Sequence, residues 1–352
     1  MPTGVRPEQA GDYCSLAQVD PWAPATSVPA LMRSIVTGGA GFIGSNLTDR
    51  LLDEGHQVTV IDDLSTGDRR FLESAAEHPA FEFVELDLND PSGAVLEVIA
   101  GADIVFHLAA NADVRFGWDA PRRDLEQNVL VTHRILEAMR QTGVPRIFFA
   151  STGSVYGEAD QIPTPETAPF PIQTSLYGAS KASAEAFVQA YTAGTEIRAT
   201  VFRFVSILGP RYTHGHVVDF VSQLASDPSA LRILGDGKQR KSYLHVDDCV
   251  DALVTCLEVD KPYEVFNLGV DDYCTVADSA GWICKRMGLS PRIDYTGGDR
   301  GWIGDNPFIF LDTSKIRALG WTHRASIRQA VEATVDYLLD TPWILERSSE
   351  RP

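Results

Sequence analysis

Short runs of β-branched and aromatic residues recur along the chain, each closing on small or acidic residues and separated from the next by a stretch of helical character. Arg33-Ser34-Ile35-Val36-Thr37 is the first. A helix over 42–54 follows, and then Gln57-Val58-Thr59-Val60-Ile61, which ends in Asp62-Asp63. Residues 81–86 lead to Asp87-Leu88, residues 103–108 to Ala109-Ala110, and residues 146–150 to Ser151-Thr152, while Phe202-Arg203-Phe204 ends a sixth run. Strands alternating with helices of this length predict an α/β fold built on a doubly wound parallel sheet, whose ligands lie beyond the carboxyl ends of the strands. Two longer helices are expected over 124–142 and 175–193.

The turn after the first strand carries the clearest chemistry. Gly38, Gly41 and Gly44 stand at the spacing G-x-x-G-x-x-G, and Phe42 and Ile43 open the helix. Glycines there let the backbone turn tightly and approach a pyrophosphate, which the helix N-terminus then stabilises. Asp62 closes the second strand roughly 20 residues on, as a dinucleotide fingerprint requires. A carboxylate at that place, Asp62 or Asp63, accepts hydrogen bonds from ribose hydroxyls and repels a 2′-phosphate, so NAD is favoured over NADP. Farther round the same crevice, Leu108 and the small Ala109 and Ala110 allow close passage of the cofactor, and Asp87 and Leu88 are placed to bond and cover the adenine.

Composition narrows the class. The 352 residues carry a formal net charge of −18, which argues against a nucleic-acid surface and against general attraction of anionic substrates. Any phosphate must be met by a local cation. The five cysteines, Cys14, Cys249, Cys256, Cys274 and Cys284, are odd in number and lack C-x-x-C spacing, so no metal site and no disulfide framework is expected. No stretch approaches the ~20 apolar residues of a membrane span, and a cytoplasmic enzyme is the expectation. Residues 1–31 are rich in Pro, Ala, Ser, Thr and Gly without a period and read as a disordered extension. The expected organisation is an NAD-binding domain over 32–204, with returning segments about 241–268, and a mainly substrate-binding domain over 205–352.

Tyr177 and Lys181 are four residues apart, so on a helix they share one face. A phenol titrates near ~10, and a neighbouring ammonium together with a positive nicotinamide ring would lower it into the range of a usable base. Ser151 and Thr152 bring hydroxyls to the same crevice. The pair alone is common surface decoration; its place after the fifth strand makes it catalytic.

These residues are where the chain resembles the extended short-chain dehydrogenase/reductases, and within them the nucleotide-sugar 4-epimerases. The matching marks are TGGAGFIG at 37–44, Asp62-Asp63, Asp87-Leu88, HLAA at 107–110, Asn128, ASTGSVYG at 150–157, the Tyr177/Lys181 pair, FRFVSILGPR at 202–211, GDGKQRKSYLHVDD at 235–248 and LDTSK at 311–315. The resemblance runs from about Met32 to about Trp321. It implies that Tyr177 is the base, that Lys181 holds the nicotinamide ribose and tunes the phenol, and that Thr152 shares the proton of the substrate's 4-hydroxyl. Asn128 is implied as a cofactor-side residue of the supporting polar network, and a homodimer paired through the two longer helices is implied as well.

The reaction class turns on the residues after Thr152. Family dehydratases resemble T-D-E-V-Y-G at this place, and decarboxylases of nucleotide-linked glucuronic acid carry a glutamate before V-Y-G. Thr152-Gly153-Ser154-Val155-Tyr156-Gly157 has neither acid. A site without that second acid/base oxidises C4 and reduces it again, which is the logic of a redox-neutral epimerase acting on a UDP-sugar. At the substrate end, Ser206 stands where many relatives have asparagine, and Arg240 or Lys241 stands where relatives have one arginine against the diphosphate, with Arg300 as a second cation. Arg211 follows the Gly209-Pro210 turn, and a guanidinium there is suited to a C6 carboxylate. The stretch SILGPRYTHGH resembles uronate-type 4-epimerases, such as the UDP-glucuronate enzyme of moenomycin-type pathways, more than the galactose-pathway enzymes. UDP-glucuronate is therefore the expected substrate, with UDP-glucose and UDP-N-acetylglucosamine as alternatives.

Overall fold

Seven parallel strands form the central sheet of the computed structural model, which describes residues 31–112, 117–170, 172–302, 305–306 and 308–349. They are β1 (Arg33–Thr37), β2 (Gln57–Asp62), β3 (Phe81–Glu85), β4 (Ile104–His107), β5 (Arg146–Thr152), β6 (Arg198–Phe204) and β7 (Tyr263–Leu268). Their spatial order is 7-6-5-4-1-2-3, so the direction of winding reverses between β1 and β4. That reversal opens the crevice in which doubly wound sheets bind ligands. The expected extension 1–31 lies, but for Leu31, outside the described residues, and Cys14 with it.

Both faces of the sheet are covered, which is why its strands read as nearly continuous apolar runs. Ile35 of β1 joins one buried cluster and Val36 the other. On β5, Ile147 and Phe149 face one side and Phe148 the opposite one. β5 runs two residues farther than the apolar run predicts, because Ser151 and Thr152 keep their register against Arg203 and Phe204 of β6. β7 escaped the pattern because Glu264 and Asn267 interrupt it; both are buried, Glu264 on Lys261 and Lys315, Asn267 on the carbonyls of Thr164 and Asp312.

The helices that frame the crevice start with α1 (Phe42–Asp53). The helix expected over 124–142 is in three parts: a short turn at Pro121–Asp124, a π-helical segment at Leu125–Leu130, and α2 (Val131–Thr142). The wider π turn brings Asn128 into the interior, where it is 1% exposed. α3 (Leu176–Gly194) starts one residue after its expected boundary because Ser175 is the cap, its Oγ accepting from the Gly178 amide at 3.0 Å.

Beyond β6 the chain builds smaller sheets. Ser206–Leu208 pairs with Tyr243–His245, Ala230–Ile233 with Arg292–Tyr295, and Arg240–Lys241 lies between Cys274–Thr275 and Phe308–Ile309. α4 (His216–Ser226), α5 (Val246–Thr255), α6 (Val276–Arg286) and α7 (Ile327–Asp340) pack among them. From Met32 onward these elements and the large sheet form one compact unit. Among the described residues no helix is long and apolar enough to cross a membrane, and no cluster of His, Cys, Asp and Glu is arranged to hold a metal.

Candidate active site

A cavity of about 790 Å3 lies beyond the carboxyl ends of the sheet. Gly38, Gly41, Phe42 and Ile43 line it from the β1–α1 turn, Asp62 and Asp63 from the end of β2, Asp87 and Leu88 from the segment after β3, and Leu108, Ala109 and Ala110 from the end of β4. Gly38 has φ +71°, and a Cβ there would stand 2.7 Å from the Ala109 nitrogen. A Cβ at Gly44 would stand 2.2 Å from the Gly38 carbonyl oxygen. Close approach of three backbones is therefore what this turn requires of its sequence. α1 has no side-chain cap, so its first amides remain available at the cavity wall for a pyrophosphate.

Asp62 ties the turn to β2. One carboxylate oxygen accepts from the Ala40 amide at 2.9 Å and the other from the Leu64 amide at 2.8 Å, and burial pushes its pKa up. Each oxygen keeps a lone pair for a ribose hydroxyl. Asp63 is exposed and accepts from the amide and hydroxyl of Ser65 at 2.9 and 2.6 Å. Asn128 does not line the cavity. It stands behind the wall, its Oδ1 accepting from the Asn111 amide at 2.9 Å and its Nδ2 donating to Ser180 at 2.8 Å. His107 extends this network, bonded to Thr37 at 2.7 Å and Thr132 at 3.1 Å, and desolvation with the nearby Lys181 holds its pKa down at about 3, so it is neutral.

Thr152, Tyr177 and Lys181 all face the cavity. The Tyr177 phenol lies near Thr152, which acts to lower its pKa, and the Thr152 hydroxyl meets Ser154 Oγ at 3.2 Å and accepts from the Ser154 amide at 3.1 Å. Lys181 is 3% exposed with its ammonium 4.7 Å from the centre of the Phe149 ring. The expected lowering of the phenol is not found in the protein alone: burial pushes Tyr177 up to about 12 and Lys181 down to about 8. Desolvation outweighs the lowering by Thr152, and the positive charge of a bound cofactor is what remains to bring the phenol down.

The substrate end departs more from expectation. Ser206 and Lys241 line the cavity. Ser151 also lines it, but its hydroxyl donates inward to Glu185 and is not free for a sugar. Of the neighbouring cations on one strand, Lys241 faces the cavity and Arg240 faces away, stacked 3.8 Å from the centre of the Phe308 ring. Lys241 donates to Asp305 at 2.8 Å and to the Asn306 carbonyl at 2.7 Å. Arg300 binds Glu158 at 2.7 Å and is not among the lining residues. Arg211 is likewise outside the cavity: with φ +71° it turns its guanidinium to Asp49 of α1 at 2.6 Å. The carboxylate-binding role read for Arg211 is therefore corrected.

Sequence reasoning missed other lining groups. Arg232 lines the cavity, and among the described residues no carboxylate pairs with it. Gln239 Oε1, Ser242 Oγ and Trp302 Nε1 are buried at the wall with no hydrogen-bond partner. Buried polar atoms of this kind are normally satisfied, so they mark where a polar ligand sits. Gln239 and Ser242 lie in the stretch GDGKQRKSYLHVDD, read above only for its cations, whereas Arg232 and Trp302 come from other segments and share no local spacing with them.

Residues 34–269 match the NAD dependent epimerase/dehydratase family. A UDP-glucose 4-epimerase of Mycolicibacterium smegmatis is 33% identical over 311 residues, which cover 87% of this chain and 98% of the relative. A solved UDP-galactose 4-epimerase superposes with a TM-score of 0.79 at 38% identity, covering 89% of this chain and 100% of its own. The UDP-glucuronic acid 4-epimerase of Bacillus cereus, solved with UDP-glucuronic acid and NAD, gives a TM-score of 0.81 at 28% identity, covering 88% and 100%. The chain belongs to the NAD-dependent epimerase/dehydratase family, with NAD as the family's cofactor and nucleotide sugars as its substrates.

Proposed function

We propose that the protein is a UDP-sugar 4-epimerase. The observation that carries this reading is that Thr152, Tyr177 and Lys181 stand together on the wall of one cavity, with Gly153 and Ser154 where an elimination or decarboxylation would need acids. A Cβ at Gly153 would stand 2.7 Å from Ile309 Cγ2, so an aspartate there would need Ile309 to move. NAD, held by the glycine turn and Asp62, would supply the hydride acceptor and donor for C4 of the sugar. Tyr177 takes the proton of the 4-hydroxyl, Thr152 holds that oxygen, and Lys181 binds the nicotinamide ribose while keeping the phenolate side positive. Return of hydride to the opposite face after the 4-keto sugar has turned inverts C4 and regenerates NAD.

For the sugar, we favour a neutral hexose, the UDP-glucose/UDP-galactose couple. The uronate expectation rested on Arg211 and on the resemblance of SILGPRYTHGH to uronate-type enzymes; Arg211 is held by Asp49, and Lys241 at the cavity wall is already balanced by Asp305. Ser154 and Ser206 offer neutral hydroxyl groups instead. Initial rates with UDP-glucose, UDP-glucuronate and UDP-N-acetylglucosamine test this. Fastest conversion of UDP-glucose supports the neutral reading, and a higher kcat/KM for UDP-glucuronate would return the assignment to a uronate. A homodimer through α2 and α3 belongs to the same proposal, and sedimentation at micromolar concentration tests it.

A further inference from the structure

Beneath Lys181 lies a buried ion pair that the proposed reaction does not use directly. Glu185 is one turn farther along α3, on the same inner face, and is 2% exposed. Its carboxylate accepts from Arg203 Nη2 of β6 at 2.7 Å and from Nε at 3.1 Å, and it accepts from the hydroxyl of Ser151, the neighbour of Thr152 on β5. Arg203 Nη1 continues to the Tyr156 hydroxyl at 2.7 Å, which donates to Asn267 Oδ1 at 2.8 Å. The carboxylate thus touches the strand that carries Thr152 and stands below the helix turn that carries Lys181.

A buried ion pair is weak evidence for stability, since apolar residues of similar volume often serve as well. Its position is more informative. The groups that face Lys181 and its partners are Tyr177 and Glu185 from α3, neutral His107 from β4, the Phe149 ring from β5, and Asp124, which acts on Tyr177. Around Glu185 itself stand Arg203, Tyr156 and Tyr263. Burial works against the Lys181 ammonium, and Glu185 is the charge that opposes it.

We propose that Glu185 is a positioning residue: held by Arg203, its carboxylate keeps Lys181 in the ammonium form and fixes the end of β5 that presents Thr152. The turnover part of this inference rests on the epimerase reading; the titration part does not. Lys181 is followed by NMR in the full-length protein labelled at lysine Cε, its signal assigned with Lys181→Arg. In Glu185→Gln the titration midpoint falls by about one unit or more, and the alkaline limb of turnover moves down with it. Glu185→Asp recovers part of the shift. Should Glu185→Gln not fold, the double variant Glu185→Leu/Arg203→Leu removes both charges together and is expected to show the lowered midpoint too. A wild-type midpoint in a folded variant lacking Glu185 overturns the proposal. A shifted midpoint with no epimerisation in any variant or wild type instead overturns the reaction assigned above.

Discussion

The two halves of the cavity are built by different means. On the cofactor side, position is set by backbone: the glycine turn meets Ala109 at the distance only glycine permits, and Asp62 is locked by two amides. On the substrate side, Lys241 is held at the wall by Asp305, and the other cations expected there, Arg300 and Arg211, are drawn off the wall by Glu158 and Asp49. Backbone rules are local and leave a spacing in the sequence, whereas ion pairs between distant segments leave none.

The comparison makes claims that measurement can break. Tyr177→Phe removes the proton acceptor and is expected to lower kcat by about 10³-fold while NAD remains bound, as followed by quenching of protein fluorescence. Asp62→Ala, on the same side, is expected to weaken NAD by about tenfold or more and to narrow the preference over NADP, read by titration with each cofactor. On the substrate side, Arg211→Ala is expected to cost about 1 kcal/mol of stability in a denaturant titration and to leave the ratio of rates for UDP-glucose and UDP-glucuronate unchanged; a selective loss of the uronate would restore Arg211 to the site.

A further effect is in acid. His107 is buried and His216 half-buried, and their pKa values are held at about 3, below the ordinary 6.5, by desolvation and by Lys181 and Lys241 respectively. Unfolding lets each imidazole take a proton more readily, so the stability they contribute is present above about 6.5 and is lost as pH falls from there towards 3. His107→Gln is expected to flatten that part of the stability profile, measured by thermal unfolding between pH 4 and 7.

How much of this was legible follows the same division. The strands, the glycine turn and the Tyr177/Lys181 pair were readable because periodicity, positive φ and i,i+4 spacing are properties of contiguous residues. Arg211 was misread because its left-handed backbone turns the side chain from the cavity to α1, which no neighbouring residue announces. Arg240 and Lys241 could not be told apart without the register, although strand alternation allows only one of them to face the cavity. Ser151 was expected to face a sugar, and the buried Glu185 that takes its hydroxyl lies 34 residues away.

The central claim is that hydride leaves C4, waits on NAD and returns to the same carbon. Conversion of UDP-[4-²H]glucose in ordinary water, followed by NMR and mass spectrometry, tests it most directly. The account predicts UDP-galactose with deuterium retained at C4, no solvent hydrogen at C5 and no net NADH. Loss of the label to solvent, exchange at C5, or release of water or carbon dioxide from the sugar would contradict it.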